Sequence, residues 1–190
     1  RHSVLAARAR ADFYAAELGG EKIIVHSYGK LSGDASEMNE RAIYAGRGKQ
    51  HLDFFYHIDH VGKKTKAEID LKGALADESK KIFRGTLDFK RGCAGSVGDE
   101  GDFAIQLDPK TKNISLPLLL CTEDDVQGNH ASSAGQLDQN TIYFLMSRGF
   151  TLEEARRIVV EALIRPIIDG MDEALREEVL NAVRMKLDRE

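Results

Sequence analysis

A chain of 190 residues with 42% hydrophobic residues and a formal net charge of −4 is long enough for one well-filled core, so it reads as one domain or a domain with an appendage. The negative balance and the lack of a long basic run argue against a nucleic-acid surface, which depends on clustered Lys and Arg. There is no run of about 18 apolar residues and no signal-peptide pattern, and two cysteines, Cys93 and Cys121, are too few for a disulfide framework. The expectation is a cytoplasmic protein that does not enter a membrane, with both cysteines as thiols. Because the first residue is Arg1 rather than Met, the chain is expected to be N-terminally truncated.

From about Glu21 to Leu120 the apolar runs are short and often alternate: KIIVHSYG, AIYAG, HLDFFYHIDHV, AEIDLKGAL, TLDFKRG, DFAIQLD and ISLPLLL. In HLDFFYHIDHV, Leu52, Phe54, Tyr56 and Ile58 share one face at period two, with His51, Asp53, His57 and Asp59 opposite, which is the pattern of a half-buried strand. Clusters such as GKLSGD and GRGK supply turns between the runs, and Pro109 marks a further turn. Periodicity alone leaves a sandwich, a jelly roll and a β-solenoid open. The turns lack two-residue hairpin signals, which leans toward the solenoid. In that arrangement the inward positions are predicted to include Leu52, Phe54, Ile69, Leu71, Leu87, Phe89, Phe103, Ile105 and Leu107.

From Asp138 onward the period becomes helical. Asp138 is predicted to cap a helix through IYFLMSR, with Gly149 at its C-terminal end. Thr151 and Glu154 form a capping box, followed by an apolar stripe of Ala155, Ile158, Val159, Ala162 and Leu163. Pro166 and Asp169-Gly170 are expected to break this helix, and Met171, Leu175, Val179, Val183 and Leu187 lay down a third stripe. The organisation expected is a β body over 1–137 and a small helical segment over 138–190.

Between the two regimes lies LCTEDDVQGNHASSAGQLD, Leu120 to Asp138. It holds a thiol, an imidazole, three acids in a row and a run of small residues that suits a thin loop. Glu123, Asp124 and Asp125 read first as a turn whose side chains accept backbone N–H groups. A lone imidazole specifies no ligand set, so on chemistry alone His130 is an ordinary solvated or satisfied histidine. Cys121 reads equally as a small residue ending an apolar strand. His57 and His60 fall on opposite faces of their strand, which argues against a metal pair.

The segments HIDHVGKKTKAEIDLKGAL, IFRGTLDFKRGCAGSVGDE and PLLLCTEDDVQGNHASSAGQLDQNTIYFLMSRGFTLEEARRIVVEALI, taken in order, resemble the SufB/SufD family of iron–sulfur cluster assembly scaffolds. The resemblance covers about Tyr44 to Ile168. It implies a mainly β fold, a right-handed parallel β-helix with a small C-terminal α-helical segment. It also implies paired β-helix subunits, the second being SufB-like or identical, and a SufC-like ABC-type ATPase docked on the helical tail, where Glu153, Arg156, Arg157 and Glu161 would contact it.

By the same resemblance, His130 matches a histidine presented at the subunit contact to help hold iron or a transient iron–sulfur cluster, and Cys121 matches a position that carries a cysteine in SufB-like members. SufB-like chains have Glu directly after the His, where Ala131 stands here, and another cysteine about one repeat before Cys121, where this chain reads GDEGDFA. The chain is therefore expected to be SufD-like and non-catalytic. It contains no P-loop and no G-x-S-x-G motif. The alternative is a β-solenoid docking module with no cluster or metal role of its own.

Overall fold

The structure, a computed structural model, describes residues 1–188. Ten strands wind into a parallel β-solenoid: β1 (His2–Leu5), β2 (Arg10–Glu17), β3 (Lys22–Leu31), β4 (Glu37–Gly46), β5 (His51–His60), β6 (Lys66–Leu75), β7 (Lys80–Phe89), β8 (Ser96–Gln106), β9 (Lys112–Cys121) and β10 (Val126–Gln136). Odd strands form one five-stranded sheet in the order β1-β3-β5-β7-β9, and even strands form the other in the order β10-β8-β6-β4-β2. Every pairing is parallel and joins a strand to its equivalent one coil later. Coils begin at His2, earlier than the apolar runs indicate, because β1 and β2 have few large apolar residues yet gain register from β3 and β4.

Corners stack as regularly as strands. Arg8, Ala35, Lys64 and Gly95 all have positive φ. Three of their amides donate to the carbonyls of Asp34, Lys63 and Ala94 in the next coil, and the amide of Gly95 donates to Asp125. This accounts for Gly62, where a Cβ would collide with the backbone of Gly33 one coil earlier.

The interior is an apolar stack over most of its length. Leu52, Phe54, Ile69, Leu71, Leu87 and Phe89 are buried as alternation predicts. On β8 the phase is reversed. Phe103 and Ile105 point outward, half-exposed, and Leu107 lies beyond the end of β8. The inward positions belong to Gly98, Glu100, Asp102 and Ala104. Two carboxyl groups are tolerated inside because β7 contributes Lys81, which is fully buried and whose ammonium bonds Asp102 and donates to the Tyr44 hydroxyl at 3.0 Å.

Residues predicted to form a thin loop after Asp125 instead form β10, paired with β8 along Val126–Gln136. Small, polar residues are accepted there because β10 is the last strand and has few interior neighbours to fill space against.

Three helices follow: α1 (Gln139–Ser147), α2 (Leu152–Asp169) and α3 (Glu173–Leu187). Asp138 caps α1 through the amides of Asn140 and Thr141, and the Thr151–Glu154 capping box is complete. Pro166 does not break α2, which runs three residues past it; its exposed ring faces solvent, where the missing N–H costs least.

The buried stripe of α2 is Ala155, Val160, Ile164, Ile167 and Ile168, with Ala162 exposed. Its Ile164, Ile167 and Ile168, with Met171, Leu180 and Val183, pack on Ile43 and Tyr14 of the outer face of the even-strand sheet. Leu175 faces solvent. A second, smaller core thus fixes α2 and α3 to the solenoid.

Candidate functional site

The open end of the solenoid is its last coil, β9 and β10, whose outer edges pair with no other strand among the described residues. Alternation fixes the direction of each side chain. A Cβ on Gly128 would touch Phe89 and Leu119, so Gly128 faces the interior. His130, two residues on, therefore faces the same way. His130 is exposed, because no further coil covers it, and it makes no hydrogen bond among the described residues. Its register partner on β8 is Glu100, whose own partner on β6 is Ile69.

Cys121 is an exposed free thiol at the last residue of β9, paired with Phe89. It lies beside the start of β10, whereas His130 is about 13 Å further along that strand at about 3.3 Å per residue. The two predicted ligands share the last coil without forming a ligand set by themselves. Cys93 is buried at the preceding corner, and burial pushes its thiol pKa up, so it is a poor thiolate.

The acids behave as turn residues. Glu123 accepts the amides of Gly92 at 2.8 Å and Asp124 at 3.1 Å, bonds that lower its pKa. Together with the amide that Gly95 donates to Asp125 they bind the final corner to the one before it.

Sequence reasoning missed the polar group beneath His130. Glu100 is only 3% exposed, and both its carboxyl oxygens lack a partner among the described residues. Burial, and then the nearby Asp102, raise its pKa to about 8. Its carboxyl rests against Gly85 on the facing sheet, where a Cβ would overlap an oxygen. Asp102 Oδ2, Asn113 Oδ1 and Ser115 Oγ are likewise buried and unpartnered. Only the unusual inward acids of GDEGDFA could have signalled this cluster.

A second grouping lies on the outer face of the odd-strand sheet. Ligand atoms of His57, Asp59 and Asp88 fall within 4.8 Å of one another. His57 Nε2 is 2.9 Å from Asp59, Tyr28 donates to Asp59, and the Lys90 ammonium bonds Asp88. Burial would raise the Asp59 carboxyl pKa, but these bonds and the Lys90 charge hold it below the usual range. Lys90 already supplies the cation, so the group is a closed ion-pair network. His60, facing inward, bonds Thr65 at 2.7 Å and stacks on Phe89.

On the helices, the four predicted contact residues divide. Glu153 is exposed and pairs with Arg156. Glu161 holds α3 through Arg184, at 2.8 and 3.0 Å, and Arg157 reaches Asp188 at 3.2 Å. Tyr143, Phe144 and Met146 are exposed on α1, and Phe150 and Leu152 are exposed around the start of α2.

A parallel β-solenoid with a helical cap is the class of fold this chain adopts. The family described as "SUF system FeS cluster assembly, SufBD core domain" matches residues 1–163, and the chain belongs to this family. Within it, the chain is 30% identical over 158 residues to the iron-sulfur cluster assembly protein SufD of Bacillus subtilis, covering 83% of this chain and 36% of that protein. Identity to SufB of the same organism is 23% over 144 residues, covering 76% and 31%. A SufBD family protein of Mycobacterium leprae is 26% identical over 195 residues, covering 98% and 50%. The chain thus spans about a third to a half of these relatives' lengths. No helix among the described residues is long and apolar enough to cross a membrane.

Proposed function

We propose that the chain is the SufD-like, non-catalytic scaffold part of a cytoplasmic iron–sulfur cluster assembly complex, and that His130 presents its imidazole to iron or a transient cluster at the contact with a second β-helix subunit. The observation that carries this reading is the state of His130: exposed and, among the described residues, unbonded and on a strand whose outer edge is unpaired. A neutral imidazole in that state is available as a ligand, and exposed Cys121 is a second, separate donor on the same coil. Thiolates from the partner would complete the set.

Pairing at this end is supported by the outer face of β9. Ile114, Leu116, Leu118 and Leu120 form a continuous stripe, each 39–53% exposed, along an open strand edge. Such an edge is a template for a second chain. The partner proposed is a SufB-like subunit or an identical copy.

The helical cap is proposed as the docking place of a SufC-like ABC-type ATPase, which would supply the energy. Tyr143, Phe144 and Phe150 give an apolar centre, and Glu153 and Arg156 a charged rim. Arg157 and Glu161 would act there mainly by fixing α3. Co-purification of the complex from cells, followed by iron and sulfide analysis of wild type and His130→Ala, tests the proposal. Unchanged iron in the variant would favour a docking module without a cluster role.

A further inference from the structure

The end of the solenoid interior holds several buried polar oxygens with no hydrogen-bond partner among the described residues. Glu100 Oε1 and Oε2, Asp102 Oδ2, Asn113 Oδ1 and Ser115 Oγ are all buried without a partner among the described residues. Leaving a buried polar atom unpaired costs about 1–3 kcal/mol, so five together point to something that binds them. Lys81 is the ammonium in the cluster, and it is committed to Asp102 and Tyr44.

The register brings these atoms together. On the even-strand sheet, Glu100 and His130 are direct partners, as are Asp102 and Ser132. On the odd-strand sheet, Asn113 follows Lys81 and Ser115 follows Phe83. Since Lys81 reaches Asp102 and the Glu100 carboxyl lies against Gly85, the polar residues of both sheets share one half of the interior. Leu87, Phe89 and Leu119 fill the other half. The strands carrying His130 and Glu100 run about 4.8 Å apart with both residues on the same face, and among the described residues the last coil, β9 and β10, is the layer that covers Glu100 from solvent.

We propose that Glu100 and His130 are this chain's own ligand pair for a divalent first-row metal ion at the open end of the solenoid, with the facing oxygens of Asn113 and Ser115 as weaker donors. A mixed nitrogen and oxygen set selects borderline ions of the iron(II), cobalt(II) and zinc(II) kind over a hard ion such as calcium. The inference rests on the reading of His130 as a ligand and adds to it a metal site that needs no thiolate from a partner. Gly85 has a role in it, since any side chain there would occupy the carboxyl's space.

The test is anaerobic titration of the chelator-treated chain with cobalt(II), read by its visible absorption and by the rise in melting temperature that a ligand of the folded state produces. Wild type is expected to bind one ion, and Glu100→Gln and His130→Ala each to weaken binding at least tenfold and to abolish the thermal shift. Glu100→Asp, which keeps the carboxylate, should bind more tightly than Glu100→Gln, and this comparison holds even if Gln alters the fold. If His130→Ala weakens binding while Glu100→Gln does not, the ligand pair is overturned and the reading of His130 stands. If the wild type binds no cobalt(II), or both variants bind as it does, the site itself is overturned.

Discussion

Lys81 and Asp102 are ion-paired across the solenoid interior, one from each sheet, with side chains 0% and 1% exposed. Removing one partner of such a pair leaves an uncompensated buried charge, which typically costs about 3–5 kcal/mol. Lys81→Met should therefore lower stability by that order and Asp102→Asn by a similar amount. The double variant should recover part of the loss. Urea unfolding of the three variants checks this, and strictly additive losses would show that the two groups are not coupled.

At low pH a second buried group becomes limiting. Burial lowers the His60 pKa to about 4, against an ordinary value of 6.5, with the Asp59 charge only partly opposing it. The unfolded chain takes up a proton before the folded one does, so the stabilisation from neutral His60 is full above about pH 6.5 and is lost as pH falls toward 4. At about 1.4 kcal/mol per unit, the ceiling is about 3 kcal/mol. His60→Gln should flatten this limb of the stability curve. An unchanged slope between pH 6.5 and 4 would place the acid lability elsewhere.

Glu100 acts in the opposite direction. The folded chain retains a proton up to about pH 8, while the unfolded chain releases it near 4.5. The stability contribution is therefore full below about 4.5 and declines as pH rises to about 8, by a few kcal/mol at most. Glu100→Gln should remove that decline, leaving the variant more stable than wild type at pH 8.5. Equal stability of the two proteins at that pH would refute a protonated Glu100.

The helical cap should be separable from the solenoid by function but not by deletion. Removing α2 and α3 would uncover Ile43 and Tyr14, which they bury. Phe144→Asp, at a 54% exposed position, should instead abolish co-purification with a SufC-like ATPase while changing stability by less than about 0.5 kcal/mol. Retained co-purification would move the ATPase contact elsewhere on the chain.

Much of this structure is legible in the sequence where a local period carries it. HLDFFYHIDHV shows its buried face directly, and Thr151 with Glu154 shows the start of α2. The failures share a physical cause, which is compensation at a distance. Phe103 and Ile105 draw the alternation of β8 to the wrong face, because the inward acids are made tolerable by Lys81 twenty-one residues away, and no local pattern records that pairing.

VQGNHASSAGQ gives no strand signal, since its backbone is ordered by register with β8 and its inward side chains face an open end. His130 stands out in the sequence only through the family resemblance. Glu100 beneath it is signalled in the sequence only by the acids of GDEGDFA, and its place under His130 follows from the stacking of the coils.

The most direct measurement is the iron and acid-labile sulfide content of the anaerobically purified complex carrying His130→Ala, compared with wild type at matched subunit stoichiometry. The expected result is a clear loss of iron and sulfide with the melting temperature almost unchanged, since the substitution is at an exposed, unbonded position. Full iron and sulfide content in the variant complex would contradict the assignment of His130 as a ligand.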